Sequence, residues 1–466
     1  MKHLLLCLLL VASVLPARSQ WIGAVEDTIT HNALREETRR QSLAIDDNNT
    51  IHLLYVRDTG GAWELVYHKR PNNSAWGPEE SVTTATVANA ALAVDRASGH
   101  AYAVWEQPGI TGTDILLGEE TGGVWSNQPV TFGLHQNMDP AISVDGQGKV
   151  HVAWVRQDSN GDYYIAYATN RSGFWEESIL SASTLGPFGS GATPAIVADQ
   201  IGRVHIAYRG GNFGTYRIHV AYNTAPGDTN WQYRILTTPN AEDLSCSLAI
   251  DRDTTIHLLS SGNDGFGFPT HAHYMTKAAG APSFNPATPV ATGFSAGVGD
   301  LFVTPTGDAH AVLDEISGNI YTGNVLYANA AGGWNASYLL QNAGDYGCNL
   351  VLDEQGFGYC AVYAGNTFND QEIVVYGRNF GTGIKDPDDL GTRLQASLTH
   401  GELKIRLEQG TLSRVSLIGL NGQRIFTEDT SPDASFSKSL PELASGVYMI
   451  EVRVDNQTIR RKLINE

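Results

Sequence analysis

A pattern of two short strands around a turn returns about every 50 residues, and it limits the possible folds more than any other feature of the chain. Each copy reads aliphatic-x-aliphatic-Asp, a polar turn, then aliphatic-His-aliphatic-Ala-aromatic, most clearly from Ile142 through Asp145 to Trp154. The turn position holds Asp46, Asp95, Asp145, Asp199, Asp251, Pro305 and Asp353, in steps of 49, 50, 54, 52, 54 and 48 residues. A third strand closes on Tyr67, Tyr167, Tyr222, Tyr274, Tyr327 or Tyr376, and a fourth opens on Trp76, Trp125, Trp175, Trp231, Phe284 or Trp334. Alternation of period two without a sustained helical period makes these segments strands. Four short strands in a period of this length form a propeller blade. The expectation is an all-β chain with a seven-bladed β-propeller over residues 20–381. The last repeat lacks a fourth strand after Tyr376. Trp21 to Val25, with Trp21 placed 25 residues before Asp46, is expected to supply it and so close the ring without a free edge.

Composition fixes the surroundings. The 466 residues carry 30 Lys and Arg against 49 Asp and Glu, a formal charge of −19. That balance argues against nucleic acid or an anionic membrane as partner, because both need a basic surface. At 42% hydrophobic and 17% charged residues the chain is not a disordered one. Residues 1–19 read as a signal peptide: Lys2 and His3, an apolar run from Leu4 to Leu15, and Ala17-Arg18-Ser19 ahead of cleavage before Gln20. The run is too short to span a bilayer, and Cys7 lies inside it rather than after a lipobox. No later stretch reads as a transmembrane segment.

His52, His151, His205 and His257 share one repeat position, with His310 close to it and Tyr102 and Tyr359 filling it elsewhere. Equivalent residues of different blades stand too far apart to ligate one ion at bonds of about 2.1 Å, so these histidines are expected to bond a turn Asp or a backbone carbonyl. Cys246, Cys348 and Cys360 remain after signal removal, and register places Cys348 and Cys360 out of direct opposition. Buried thiols are expected rather than a disulfide. No metal cluster, nucleophile motif or phosphate-cradling glycine loop is present, so neither metal nor cofactor is expected.

The repeat resembles the sialidase-like group of propellers over residues 21 to 381. The sialidase Asp-box, Ser-x-Asp-x-Gly-x-Thr-Trp, places Gly two residues after Asp and a Trp three further on. Here Ser143-x-Asp145 has Gly148 three residues on, no matching Trp, and no Arg-Ile-Pro motif occurs. The resemblance implies the fold and not sialidase chemistry.

Lys385 to Asp389 reads as polar linker, within 382–390. Residues 391–466 then show short strands at Leu403–Leu407, Val415–Ile418 and Val447–Val452, the pattern of a small Ig-like β-sandwich. Three pieces in order, Leu420-Asn421-Gly422-Gln423-Arg424, Leu440 through Tyr448, and Arg460-Arg461-Lys462-Leu463, resemble the C-terminal sorting domain of type IX secretion cargo. The resemblance implies the type IX machinery as a partner and a secreted or outer-surface location reached through the periplasm.

On a propeller, ligands meet the face made by loops leading into the inner strands and by loops joining second to third strands. Those loops carry Glu106, Arg156 and Arg209 after second strands, and His135, Asn137, Glu242, Asp243, Asp300, Asp345 and Tyr346 ahead of inner strands. Glu106, Arg156, Arg209 and Asp345 are the expected ligand-binding set, with Arg156 and Arg209 gripping a carboxylate together. His135 and Tyr346 are the candidates for proton abstraction beside an acidic sugar, as in polysaccharide lyases built on propellers. Two functions stay open: a module that binds a glycan or protein ligand, and a glycan-active enzyme, lyase or hydrolase. The address has its own test. A chain ending before Leu390 should accumulate in the periplasm, and its normal display on the surface would refute the sorting role.

Overall fold

The computed structural model describes residues 25–379 and 394–465, apart from short stretches of which 181–191 and 365–370 are the longest. The signal segment, Trp21 and the linker 382–390 lie outside the described residues. Two compact units result, Met1–Asn379 and Phe380–Glu466.

The described residues of the first unit are strands and turns, without a helix. Pairing sorts the strands into successive antiparallel meanders, seven in number when the eight-stranded sheet is divided at its single parallel contact, Gln136 against Thr113. The inner strands are Leu43–Ile45, Ala90–Val94, Gln136–Val144, Ala195–Ala198, Glu242–Ile250, Ala296–Val303 and Asp345–Leu352. Each packs against the next, and the last returns to the first, which is the geometry of a propeller with the inner strands around a central channel. The core lies between blades. Ala153, Val155 and Tyr167 of the third blade interleave with Ile196, Ile206 and Tyr208 of the fourth. Leu43, Tyr55 and Val66 of the first meet Val351, Ala361 and Val375 of the last.

Closure uses the two ends of the unit. Val25–Thr28 pairs antiparallel with Glu372–Asn379, from Val25 opposite Gly377 to Thr28 opposite Val374. Of the expected closing segment Trp21 to Val25, only Val25 belongs to the described residues, and it lies in this strand. Bonds beyond the strand hold this register: Ile29 N donates to Ile373 O at 2.8 Å, Ile373 N donates to Thr30 Oγ1 at 2.9 Å, and Arg35 Nε donates to Gln371 Oε1 at 3.1 Å.

The repeated residues form one device. Asp145 Oδ1 accepts from the backbone N–H groups of Gln147 and Lys149 at 2.8 and 2.9 Å, closing the turn. Its Oδ2 accepts from His151 Nε2 at 3.3 Å and from Arg171 Nη1 at 2.9 Å. A carboxylate only accepts, so Nε2 carries the proton, and Nδ1 accepts from the Tyr167 hydroxyl at 2.7 Å. Tyr167 then packs edge-on against Trp231 of the next blade, centroids 5.0 Å apart. The same series joins the first blade to the second, through His52, Tyr67 and Trp125, and the fifth to the sixth, through His257, Tyr274 and Trp334. His151 and His257 thus bond the turn Asp of their own blade, and the link across blades is aromatic. Gly202 at φ 87° is required beside this carboxylate, because a Cβ there would stand 2.6 Å from Asp145 Oδ2. Burial alone would raise the Asp145 pKa, but the bonds from His151, Lys149 and Gln147 outweigh it and hold the carboxyl below its ordinary 3.8.

Cys246 and Cys348 are buried free thiols, and Cys360 is buried opposite Leu350 rather than Cys348. In the second unit, a three-stranded sheet contributes Leu398, Leu403 and Ile405 to a core shared with Val415, Leu417, Ile450 and Val452 of a four-stranded sheet. That is a two-sheet sandwich.

The fourth blade breaks the device and makes it testable. Asp199 Oδ2 bonds Arg203 Nε at 2.6 Å instead of His205. Both His205 ring nitrogens are left buried without a partner, and the ring stacks on Tyr222. Burial, helped by the charge of Lys277, pushes the His205 pKa from 6.5 down to about 3. The unfolded chain therefore binds a proton below pH 6.5 that the fold refuses, and this destabilises the fold progressively as pH falls towards about 3. His205→Phe should gain on the wild type by about 2 kcal/mol between pH 7 and pH 5, read as denaturation midpoints of the two proteins. The raised carboxyls Asp139 and Asp314 act in the opposite direction in both proteins and cancel in the comparison. An unchanged difference across that range would contradict the assignment.

Candidate functional site

The seven inner strands enclose a cavity of about 460 Å³. The residue six before the turn position of each repeat is Arg40, Asn89, Asp139, Thr193, Ser245, Gly299 or Gly347, and Arg40, Asn89, Asp139, Thr193 and Gly299 of these line the cavity. In four of the blades the inner strand bulges at or beside this position. Register shifts fall between Met138 and Ala141, Asp243 and Ser245, Val298 and Asp300, and Tyr346 and Asn349. Asp139, Thr193 and Gly347 adopt φ of 52°, 37° and 65°. Bulges of this kind re-aim a side chain at the end of a strand. The first three blades supply Arg, Asn and Asp at this position and the last four Thr, Ser and Gly.

Arg40 spans the opening. Its Nη1 donates to Thr193 O at 3.1 Å and its Nη2 to Cys246 O at 3.0 Å, carbonyls of the fourth and fifth blades. Beside it, Asn89 Nδ2 donates both to Glu106 Oε1 at 2.8 Å and to Asp139 Oδ1 at 2.9 Å. Glu106 Oε1 also accepts from the Asp139 backbone N–H at 2.5 Å. Burial raises the Asp139 pKa to about 6, the Glu106 charge adds to the rise, and Arg40 and Arg209 oppose it. Burial likewise raises Glu106 against the bonds from Asn89 and Asp139. One of these two carboxyls therefore holds a proton in mildly acidic water.

Arg209 lies over the Tyr216 ring at 4.5 Å, close enough to Asp139 and Glu242 to feel both charges. Its guanidinium makes no salt bridge of 4.0 Å or less among the described residues, and burial lowers its pKa. Counted from the repeated His, Glu106, Arg209, Ser261 and Asp314 share one strand position and aim at the next blade. Ser261 bonds Ser245 Oγ and Val298 N, and Asp314 accepts from Cys348 Sγ at 3.4 Å. Arg209 breaks this pattern and leaves its donors available.

The remaining expected residues divide by location. Arg156 sits one position further along its strand than Arg209, hence on the opposite sheet face. It is occupied there, with Nη1 on Glu177 Oε1 at 2.5 Å and Nε on Asn137 Oδ1 at 3.1 Å. The two arginines are not brought together. Asn137 is structural, bonding Trp154 Nε1 at 2.8 Å and Thr113 O at 2.8 Å. Asp300 ties three inner strands through Ser247, its neighbour Leu301 and Leu350. Asp243 is fully buried, with Oδ1 accepting from Thr238 and Asn240. Glu242 is 2% exposed and its Oε1 accepts from no described group. His135 stands in the loop ahead of the third inner strand, its Nδ1 buried without a partner. Asp345 and Tyr346 have backbones in the last inner strand opposite Ala364 and Tyr363, and their side chains lie outside the described residues. Arg40, Asn89 and Asp139 escaped the sequence reading. Alignment of the repeats on the turn Asp, read six residues back, is the signal that finds them.

Residues 399–466 match a family described as the secretion system C-terminal sorting domain. That domain marks the chain as cargo of type IX secretion, exported to the cell surface or the medium. Among the described residues no helix is long and apolar enough to cross a membrane. Compared with curated proteins by sequence, the chain matches none. Among solved structures it is similar to an oligogalacturonate lyase from Vibrio parahaemolyticus, with TM-score 0.50, 8% identity, and coverage of 75% of this chain and 93% of that one. Others are the polysaccharide lyase Uly1, at TM-score 0.47, 11% identity and coverage of 73% and 90%, and a Hadza microbial sialidase, at 0.40, 12%, 70% and 73%. At such identities the likeness concerns the fold.

Proposed function

We propose that the protein is a seven-bladed propeller, made with an export signal over residues 1–19 and carried out by its sorting domain, that binds a glycan or protein ligand at the charged mouth of the channel. The observation that carries this reading is Arg209, a half-buried guanidinium without a salt bridge among the described residues, near enough to the cavity-lining Asp139 to feel its charge. An arginine already stripped of much of its water and lacking a carboxylate offers a bidentate grip to an anionic group of the ligand. A second reading, a glycan-active enzyme on the same face, is favoured by the coupled carboxyls Glu106 and Asp139.

Binding of acidic and neutral polysaccharides to the full-length exported protein, measured by calorimetry, tests the first reading. Arg209→Ala should weaken the binding of an acidic member about 10-fold or more, the worth of a charge-assisted bond. Arg156→Ala should leave it within about twofold, because its bonds stay within its own blade. Equal affinity of wild type and Arg209→Ala, or no binding of any member, would count against the reading.

A further inference from the structure

Arg40 is fixed in place without being neutralised. Its chain neighbours are pinned to other blades: Arg39 O accepts from Asn349 Nδ2 of the last blade at 3.0 Å, and Gln41 O accepts from Leu92 N of the second at 2.8 Å. The side chain then crosses to the carbonyls of Thr193 and Cys246 at 3.1 and 3.0 Å. A guanidinium has five N–H bonds and the two carbonyls take one each, which leaves three for a ligand. Arg40 is exposed, lines the cavity and forms no ion pair among the described residues. The acids nearest its charge are bonded elsewhere, Asp139 to Asn89 and Asp300 to Ser247, Leu301 and Leu350. A cation ordered before its ligand arrives loses little affinity to ordering.

An aromatic shelf stands within reach of this guanidinium. Tyr321, at the start of the third strand of the sixth blade (Ile320–Asn329), lies over Gly297: a Cβ there would stand 3.5 Å from the Tyr321 hydroxyl and 3.6 Å from its ring. Phe268 of the fifth blade meets the Tyr321 ring edge-on, with centroids 5.6 Å apart and planes at 86°, so each ring steadies the other. The Phe268 loop is tied down by the buried Asn263, which donates to Gly267 O and accepts from Gly265 N, each at 2.9 Å. Both rings are still 39% exposed. Burial and the Asp314 charge raise the pKa of the Tyr321 hydroxyl, and the charge of Arg40 opposes them. A sugar ring has an apolar C–H face and a hydroxylated rim, and a uronic acid adds a carboxylate to these. An open aromatic ring beside an unpaired guanidinium matches that combination, whereas a neutral sugar leaves Arg40 unused.

We propose that this part of the mouth binds a uronic acid unit of a polysaccharide, with its carboxylate on Arg40 and its pyranose ring on Tyr321, braced by Phe268. This rests on the reading that the mouth grips an anionic group, and it names the ligand as an acidic glycan rather than a protein. The two contacts divide the work of recognition. Tyr321 favours a pyranose of any charge, and Arg40 separates the acid from its neutral form. Lysine at position 40 keeps the charge but not the planar fork.

The full-length exported protein is titrated by calorimetry with polygalacturonate, alginate and hyaluronan, each as the free acid and as its methyl ester. At least one free acid is expected to bind, and more tightly than its ester. Arg40→Ala should weaken that free acid about 10-fold or more and leave the ester within about twofold, with Arg40→Lys in between. The retained ester binding shows that the variant is folded. Tyr321→Ala should weaken acid and ester alike, about fivefold or more, and Tyr321→Phe should stay within about twofold of the wild type. Wild-type affinity in Arg40→Ala, equal loss of acid and ester in that variant, or wild-type affinity in Tyr321→Ala each overturns the proposal. If Arg209→Ala still weakens the acid in those cases, the reading of an anion-binding mouth stands without it. Absence of binding to all three glycans in both forms overturns both.

Discussion

Everything in the propeller depends on how a buried turn carboxylate is shared. One oxygen of Asp145 closes its hairpin turn, and the other takes a proton donor from His151, which orients the ring to accept from Tyr167. The tyrosine then meets a tryptophan of the next blade. A single side chain thereby couples local turn geometry, the second and third strands, and the packing between blades. Buried polar groups of this kind are tolerable only when each is satisfied, and here the sequence supplies the partners in one short motif. The motif recurs at a near-constant step, so it sets the blade size and leaves the ring to close by pairing its two ends.

That device was legible before any coordinates because its parts lie within about 25 residues of one another and repeat. The strands, the inter-blade core and the second unit's sandwich follow from the same local patterns. The closing strand needs contacts of another kind. Its register is held by bonds such as that from Ile373 N to Thr30 Oγ1, between residues more than 300 positions apart, which no local pattern records.

The mouth was half legible. Glu106 and Arg209 stood out as charges just past their second strands. Pairing Arg156 with Arg209 failed on one residue of register, since strand side chains alternate faces and a shift of one sends the guanidinium to the wrong side. Arg40, Asn89 and Asp139 were invisible as a group because they belong to three different blades. What unites them is a shared place six residues before the turn, which at Asp139 is also a bulge. The repeat fixes where a side chain reaches the channel but not which one it is. Once position six before the turn is freed from packing, one half of the ring carries Arg, Asn and Asp and the other half small residues. Chemistry has gathered where the repeat stops constraining residue type, while the turn end of the channel keeps its aspartates in structural bonds.

Hydrogen–deuterium exchange of the exported protein, with and without a bound glycan, tests this account most directly. It predicts new protection concentrated at residues 39–41, 89, 106, 138–141 and 209, with the turn aspartates unchanged. Protection spread evenly over the seven blades, or centred on the turn end of the channel, would contradict it.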